Sequence, residues 1–385
     1  MEAAFDAYMP NPLDDSAWRA SAPSARETHS TIPSVAQLLP ERYHTARLSL
    51  AAHPRVWLVT GAAGFIASNL VEELLSLGQY VVGLDNFSSG THANIDEAIA
   101  NVPGSARRFR LIRGDIRDQP TCARACEGVD FVLHHAALAS VARSMDDPIM
   151  SHDVNVTGTL NVLLAARDAG VRRVVYASSS AVYGNVNRVP QSEHCVGAPL
   201  SPYAATKQCN EAYASVVQQA YGISTVGLRY FNVFGRRQDP NGDYAAVIPR
   251  WILASLQGEV CTVYGDGETT RDFCHVGDVV QANLLAATAD SAATGAVYNV
   301  ARGQRTSLNE LFQLISRGVR RHVPTLSPST LRYADFRAGD VRHSFADISR
   351  AQSALGFAPM QDMGRGLDET IAWYVSNATA LSSVA

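Results

Sequence analysis

The stretch RVWLVTGAAGFIASNLVEELLSLG, residues 55–78, constrains the fold most. Its first part is a short apolar run ending on Gly61, the signature of a strand buried on both faces. Its second part carries apolar residues at helical spacing and stops at Gly78, a residue type that closes helices. The pattern repeats downstream. QYVVGLD (79–85), FRLIRGD (109–115), VDFVLHHAA (129–137), VRRVVYASS (171–179) and ISTVGLRY (223–230) read as further strands. IMSHDVNVTGTLNVLLAARDAG (149–170) reads as a long helix capped by Gly170, and a second long helix runs from Pro202 to Tyr221 before Gly222. Such alternation predicts an α/β fold, a doubly wound parallel sheet with helices on both faces. That domain is expected to span residues 38–230 and about 265–300. The looser segments 231–264 and 301–380 are assigned to a smaller C-terminal substrate-binding lobe. Residues 1–37, rich in Ala, Ser and Pro, are expected to be a loosely ordered extension. Leu39, Tyr43, Leu48 and Leu50 have helical spacing and are expected to pack on the α/β domain.

Composition excludes several classes of function. The chain has 385 residues, 46% hydrophobic and 18% charged, enough for a sizeable core. A formal net charge of -4 and no basic run give no footprint for nucleic acid. The six cysteines, at 122, 126, 195, 209, 261 and 274, form no CxxC pair and read as free thiols without a metal. The acidic start MEAAFDAYMP has no apolar core of a secretory signal, and no apolar run reaches the ~20 residues that span a bilayer. A cytoplasmic protein without membrane partners is expected.

TGAAGFIAS (60–68) follows the first strand and opens the first helix. Gly61 and Gly64 allow a tight turn and close backbone approach, and the helix N-terminus presents free N–H groups to a pyrophosphate. Ala67 takes the third position of the GxxGxxA spacing, where a small residue sets helix–strand packing. Asp85 ends the second strand about 20 residues on, where a carboxylate binds ribose hydroxyls and repels a 2′-phosphate. NAD is therefore favoured over NADP. Asp115, after the third strand, is placed to reach the adenine edge, and the small residues of HHAAL (134–138) let a cofactor lie flat.

SPYAATK (201–207) supplies an N-cap in Ser201 and a first-turn proline in Pro202. Tyr203 and Lys207 then share one helical face. The ammonium is expected to favour phenolate. A free tyrosine titrates near 10, so a phenolate at neutral pH requires stabilisation on the order of 4 kcal/mol. Upstream, Ser178, Ser179 and Ser180 fall just past the fifth strand, at the sheet edge where ligands bind in open α/β folds. A serine there can relay or hold the proton of a sugar hydroxyl.

Together with LDNFSSG, GDIRD, SSSAVYG and LRYFNVFGRRQDPNG, these motifs resemble the extended short-chain dehydrogenase/reductases. More narrowly, the chain is similar to the nucleotide-sugar 4-epimerases, within them the UDP-N-acetylglucosamine 4-epimerases. The resemblance runs from about residue 38 to 377 and implies a Rossmann-type domain holding NAD. It implies that Tyr203, as phenolate, takes the O4 proton while the C4 hydride is lent to the cofactor. The 4-keto sugar then turns its other face before both return. Ser179 matches the catalytic Ser/Thr, with Ser180 as the alternative, and Lys207 also holds a ribose. Phe65, Ile66, Asn86, Ser89, Gly90, Ile116, Ala136, Asn155 and Tyr230 carry over as cofactor positions. Ser140, Arg143, Asn232, Arg271, Arg337, Asp340 and Ser344 carry over as substrate positions. Among these, Arg271 and Arg337 would bind the diphosphate and Asp340 the uridine ribose. Relatives pair as homodimers through two long helices, here 148–169 and 202–221, in a four-helix bundle.

Ser344 stands where epimerases restricted to plain hexoses have a tyrosine, which leaves room for a C2 N-acetyl group. Interconversion of UDP-GlcNAc and UDP-GalNAc, for surface polysaccharide synthesis, is the expected reaction. Related dehydratases and decarboxylases carry an acidic residue at the position of Ala181. A UDP-glucose or UDP-uronate 4-epimerase is the alternative, and a non-catalytic NAD-binding sensor or scaffold the reading from another class. Ala139 and Ala142 replace the usual Gly and Pro of close relatives, with Ala139 expected near the sugar.

Overall fold

Seven parallel strands form the central sheet of the computed structural model, which describes residues 40–186, 188–241, 245–336 and 341–382. They are β1 (Val56–Thr60), β2 (Tyr80–Asp85), β3 (Phe109–Arg113), β4 (Phe131–His134), β5 (Arg173–Ser179), β6 (Ser224–Tyr230) and β7 (Ala296–Val300). Their order is β7-β6-β5-β4-β1-β2-β3, with every neighbouring pair parallel. Six of these strands match the expected runs; β7 completes the edge beyond β6. The winding reverses between β1 and β4, and open α/β sheets bind ligands outside the strand C-termini at such a point.

Helices cover both faces, as continuous apolar strands require. On one side lie α1 (Glu41–Ala52) and α2 (Phe65–Ser76), with α3 (His92–Ala100) against α2. The other side carries α4 (Gln119–Cys126). A short α5 (Val141–Asp146) precedes α6, which runs through Pro148–His152, a π-helical turn at Asp153–Thr157, and Gly158–Asp168. The sequence predicts this helix as uninterrupted; the wider π turn is an insertion of the kind found at functional sites. Next comes α7 (Pro202–Tyr221), with Ser201 accepting the Ala204 N–H at 3.1 Å and Gly222 closing it at a φ of +73°.

Further along are α8 (Val247–Gln257), α9 (Val276–Thr288), α10 (Leu308–His322), α11 (Ser349–Leu355) and α12 (Met363–Ser382). One core packs Leu70 and Leu74 of α2 against Val59, Leu133, Val279 of α9 and Leu355 of α11. The opposite core joins Cys122 and Cys126 to Val162, Ala166 and Val217. A third core gathers Trp251 of α8, Val263, Phe312 of α10 and Tyr374 of α12. Within α1 the apolar spacing misleads at one position: Tyr43 and Leu50 are buried, whereas Leu48 points to solvent at 59% exposure. Leu39 and the extension lie outside the described residues. All six cysteines are unpaired; four are buried, and Cys209 is exposed. No described helix is long and apolar enough to cross a membrane.

Candidate active site

Gly61 closes β1 at a φ of +68° and donates its N–H to the Leu84 carbonyl at 2.8 Å. A Cβ there would sit 2.8 Å from the Ala136 nitrogen, so β1 and the end of β4 approach only because residue 61 lacks a side chain. Gly90 does the same for the loop after β2, where a Cβ would stand 2.7 Å from Ala63. Thr60 pins the junction. Its hydroxyl accepts from the His135 and Ala136 N–H groups at 3.1 and 3.2 Å and lies 2.7 Å from His134 Nδ1. The result is a cavity of about 430 Å³ lined by Gly61, Gly64, Phe65, Ile66, Asp85, Asn86, Ser89, Asp115, Ile116 and Ala136, and further along by Ser179, Tyr203, Lys207 and Tyr230.

Asp85 is buried at its edge. One carboxylate oxygen accepts from Ala63 N at 2.9 Å and the other from Phe87 N at 2.7 Å, which leaves each a lone pair for a hydroxyl. Asp115 differs from expectation. Its oxygens accept from Arg117 N at 2.8 Å, Nε at 3.0 Å and Nη2 at 2.8 Å, and from Asn86 Nδ2 at 2.9 Å. Four bonds fill a carboxylate, so Asp115 anchors this loop and has no site left for an adenine edge unless one partner lets go. The Arg117 hydrogen bonds hold its carboxyl down at about 2.

Helix α7 delivers the reacting groups. Lys207 Nζ donates to the Ala177 carbonyl at 2.9 Å and stands 5.8 Å from the centre of the Tyr203 ring. Burial lowers the ammonium to about 8, with Glu211 opposing. Burial also raises the Tyr203 phenol, against a hydrogen bond with Ser179. Lys207 thus spends one of its three N–H donors on a backbone carbonyl beside the Tyr203 ring. Ser179 Oγ also accepts the Ala181 N–H at 3.1 Å, which turns the chain after β5.

Other expected residues are placed less directly. Asn155, in the π turn, is fully buried and does not line the cavity. Its Oδ1 accepts from Leu138 N at 2.8 Å, and its Nδ2 donates to Leu138 O and Thr206 Oγ1, both at 3.1 Å. Thr206 in turn donates to the Tyr203 carbonyl at 2.8 Å, so Asn155 holds the tyrosine helix and not a ligand. Ser140 caps α5 by accepting the Arg143 N–H at 3.1 Å, and Arg143 is exposed; neither lines the cavity, whereas Ala139 does. Ser180 and Asn232 line it, and Asn232 also borders a second cavity of about 690 Å³ that contains Arg271. Ser344 lines neither. Its N–H donates to Thr270 O at 3.2 Å, beside Arg271, and its hydroxyl donates to Gln191 Oε1 at 3.1 Å. Arg337 and Asp340 lie outside the described residues.

Two residues escape the sequence reading, His135 and Asn283. His135 Nε2 lies 2.9 Å from the Tyr230 hydroxyl, which also accepts from Asn283 at 2.8 Å. Burial lowers His135 to about 4, so a neutral imidazole faces the cavity. The HHAAL motif marks the strand end but not which histidine turns inward. Among the described residues, no group of three His, Cys, Asp or Glu is placed to hold a metal.

A glycine-cradled crevice at a sheet switch point, with a serine, a tyrosine and a lysine at its inner end, defines a nucleotide-binding oxidoreductive site. The family model described as the NAD dependent epimerase/dehydratase family matches residues 57–301, more than half of the chain, and the chain belongs to that family. The UDP-glucose 4-epimerase of Mycolicibacterium smegmatis is 38% identical over 82% of this chain and 97% of its own. The dTDP-glucose 4,6-dehydratase of Streptomyces griseus is 35% identical over 82% of this chain and 93% of its own. The solved UDP-N-acetylglucosamine 4-epimerase from Methanobrevibacter ruminantium M1 is 37% identical over 84% of this chain and 99% of its own, with a TM-score of 0.77. NAD is the cofactor of the family, and the crevice fits it: a backbone cradle that two Cβ atoms would fill, free N–H groups at α2, and a carboxylate with lone pairs to spare.

Proposed function

We propose that this NAD-dependent UDP-sugar 4-epimerase interconverts UDP-GlcNAc and UDP-GalNAc. NAD, when bound, supplies a reversible hydride acceptor. Tyr203 takes the O4 proton of the sugar and returns it on the opposite face, while Ser179, close enough to the phenol to favour its ionised form, holds the hydroxyl in line. Lys207, fixed on the Ala177 carbonyl, carries the positive charge at the inner end of the crevice. Asn232 and Arg271 receive the diphosphate where the two cavities meet. The segments around the third core, 231–264 and 301–380, serve as the sugar-nucleotide lobe.

Ser344 is the observation that carries the choice of sugar. It lines neither cavity itself, but it is small, and it follows His343, which bridges Thr270, next to the Arg271 that lines the second cavity. Ala181 supports epimerisation over dehydration or decarboxylation, because position 181 of the serine turn carries a methyl group where those related enzymes carry an acidic side chain. A panel of UDP-sugars with and without the N-acetyl group tests the reading. Wild-type protein should turn over UDP-GalNAc, and Ser344→Tyr should lose that activity far more than activity on UDP-glucose. Equal loss on both would remove the gatekeeper argument.

We also propose that the protein pairs through α6 and α7. Their outer faces carry Ile149 at 74% exposure and Tyr213 and Val216 at 40% and 57%, apolar surface that a four-helix bundle would cover.

A further inference from the structure

Tyr203, Lys207 and Glu211 succeed one another at four-residue spacing along one face of α7. Glu211 is neither a reacting group nor a lining residue of the crevice. Its carboxylate is largely buried. Oε1 accepts from Ser178 Oγ at 2.6 Å and from Arg229 Nε at 2.8 Å, while Oε2 accepts from Arg229 Nη2 at 2.7 Å. Arg229 comes from β6, is 2% exposed, and donates from Nη1 to the Tyr183 hydroxyl at 3.2 Å and the Glu193 carbonyl at 3.1 Å. Ser178 immediately precedes Ser179 at the end of β5. One carboxylate thus ties together the helix of Tyr203 and Lys207, the strand that ends in the serine turn, and the neighbouring strand.

We propose that Glu211 is a positioning residue for the reaction: locked in a two-point pair with Arg229, it fixes the Ser178–Ser179 turn through the Ser178 hydroxyl and sets a negative charge one helical turn from the Lys207 ammonium. The proposal rests on the reading of Ser179, Tyr203 and Lys207 as the reacting set. A buried ion pair is a weak source of stability compared with apolar residues of the same volume, so what the pair holds in place is its distinctive contribution. Two-point guanidinium–carboxylate geometry leaves Glu211 little freedom, and the third bond, to Ser178, inherits that rigidity. The groups that bear on Lys207 are few. His134 and His135 are kept neutral by burial, at about 3 and about 4, and the Tyr203 ring lies one helical turn before Lys207 on the same face. Glu211 is the neighbour that favours the ammonium against its burial. The Glu211 carboxylate itself faces Ser178 and Arg229, with the Tyr176 phenol also close enough to feel its charge.

The test uses an unusual property of the sequence. Lys207 is the sole lysine of the 385-residue chain, beside 31 arginines. Competitive amine labelling across a pH series, read by mass spectrometry on the Lys207 peptide, therefore reports its titration without any turnover. In full-length NAD-loaded protein, Glu211→Gln should move that midpoint acidward by about one pH unit. It should also lower kcat by roughly tenfold or more while KM for the UDP-sugar stays within about twofold. Ser178→Ala should leave the midpoint in place yet lower kcat, because it removes only the anchor of the serine turn. A folded Glu211→Gln protein with an unchanged midpoint and unchanged kcat overturns the proposal. If Glu211→Gln does not fold, Ser178→Ala decides: unchanged kcat overturns the anchoring role, and a loss in kcat alone supports it. A wild-type protein that turns over no UDP-sugar, but whose Lys207 midpoint still moves in Glu211→Gln, refutes the epimerase reading and leaves the Glu211–Lys207 coupling standing.

Discussion

Replacing Gly61 by alanine separates two costs that usually travel together. The residue sits at a φ of +68°, and an added Cβ would lie 2.8 Å from the Ala136 nitrogen, in backbone that has nowhere to go. The left-handed conformation alone costs an L-residue about 1–2 kcal/mol. Overpacking against a rigid neighbour adds about 1–3 kcal/mol. Gly78 supplies the control: its φ is +73°, but an added Cβ would meet nothing within 4 Å. Gly78→Ala should therefore lose only the conformational part, and Gly61→Ala should be less stable than it by about 1–3 kcal/mol in urea unfolding. NAD titration should show affinity kept in Gly78→Ala and lowered in Gly61→Ala, because relief of the clash pushes β1 and β4 apart under the cofactor. Equal destabilisation with equal NAD affinity would refute the claim that close approach at Gly61 builds the crevice.

Two more outcomes are expected. Burial brings Lys207 down to about 8 from an ordinary value of 10.5. Between those two pH values the unfolded chain binds the extra proton, so this group destabilises the fold below about pH 8 and its penalty disappears as pH rises towards 10.5. Activity that needs the ammonium should accordingly fall through about pH 8, and a decline first seen near 10.5 would contradict the buried placement. In the proposed dimer, Val216→Arg puts a charge on the outer face of α7, and sedimentation should show the paired wild type and a monomeric variant; an unchanged assembly would place the contact elsewhere.

The sheet was legible in the sequence because its strands are buried on both faces and three of the helices that cover it end on a glycine: Gly78, Gly170 and Gly222 all take the left-handed conformation that closing a helix asks of them. Tyr203 and Lys207 were legible for a similar reason, since helical spacing alone puts them on one face. What spacing cannot show is where a side chain's hydrogen bonds go. Asp115 looked free for a ligand, yet Arg117, two residues on, takes both its oxygens. Asn155 looked like a cofactor contact, but the π turn buries it against Leu138. Spacing put the Lys207 ammonium beside the tyrosine, but not the Ala177 carbonyl that it bonds. Glu211 was one helical turn further along the face already singled out; its partners come from β5 and β6, elements that only the folded sheet brings together.

The most direct test of the account is C4 epimerisation of UDP-GalNAc by the wild-type protein and by Tyr203→Phe, with bound NAD quantified in both. The account predicts conversion by the wild type and a loss of at least about 10²-fold in the variant, with NAD content unchanged. Conversion that survives in Tyr203→Phe would contradict the assignment of Tyr203 as the group that moves the proton.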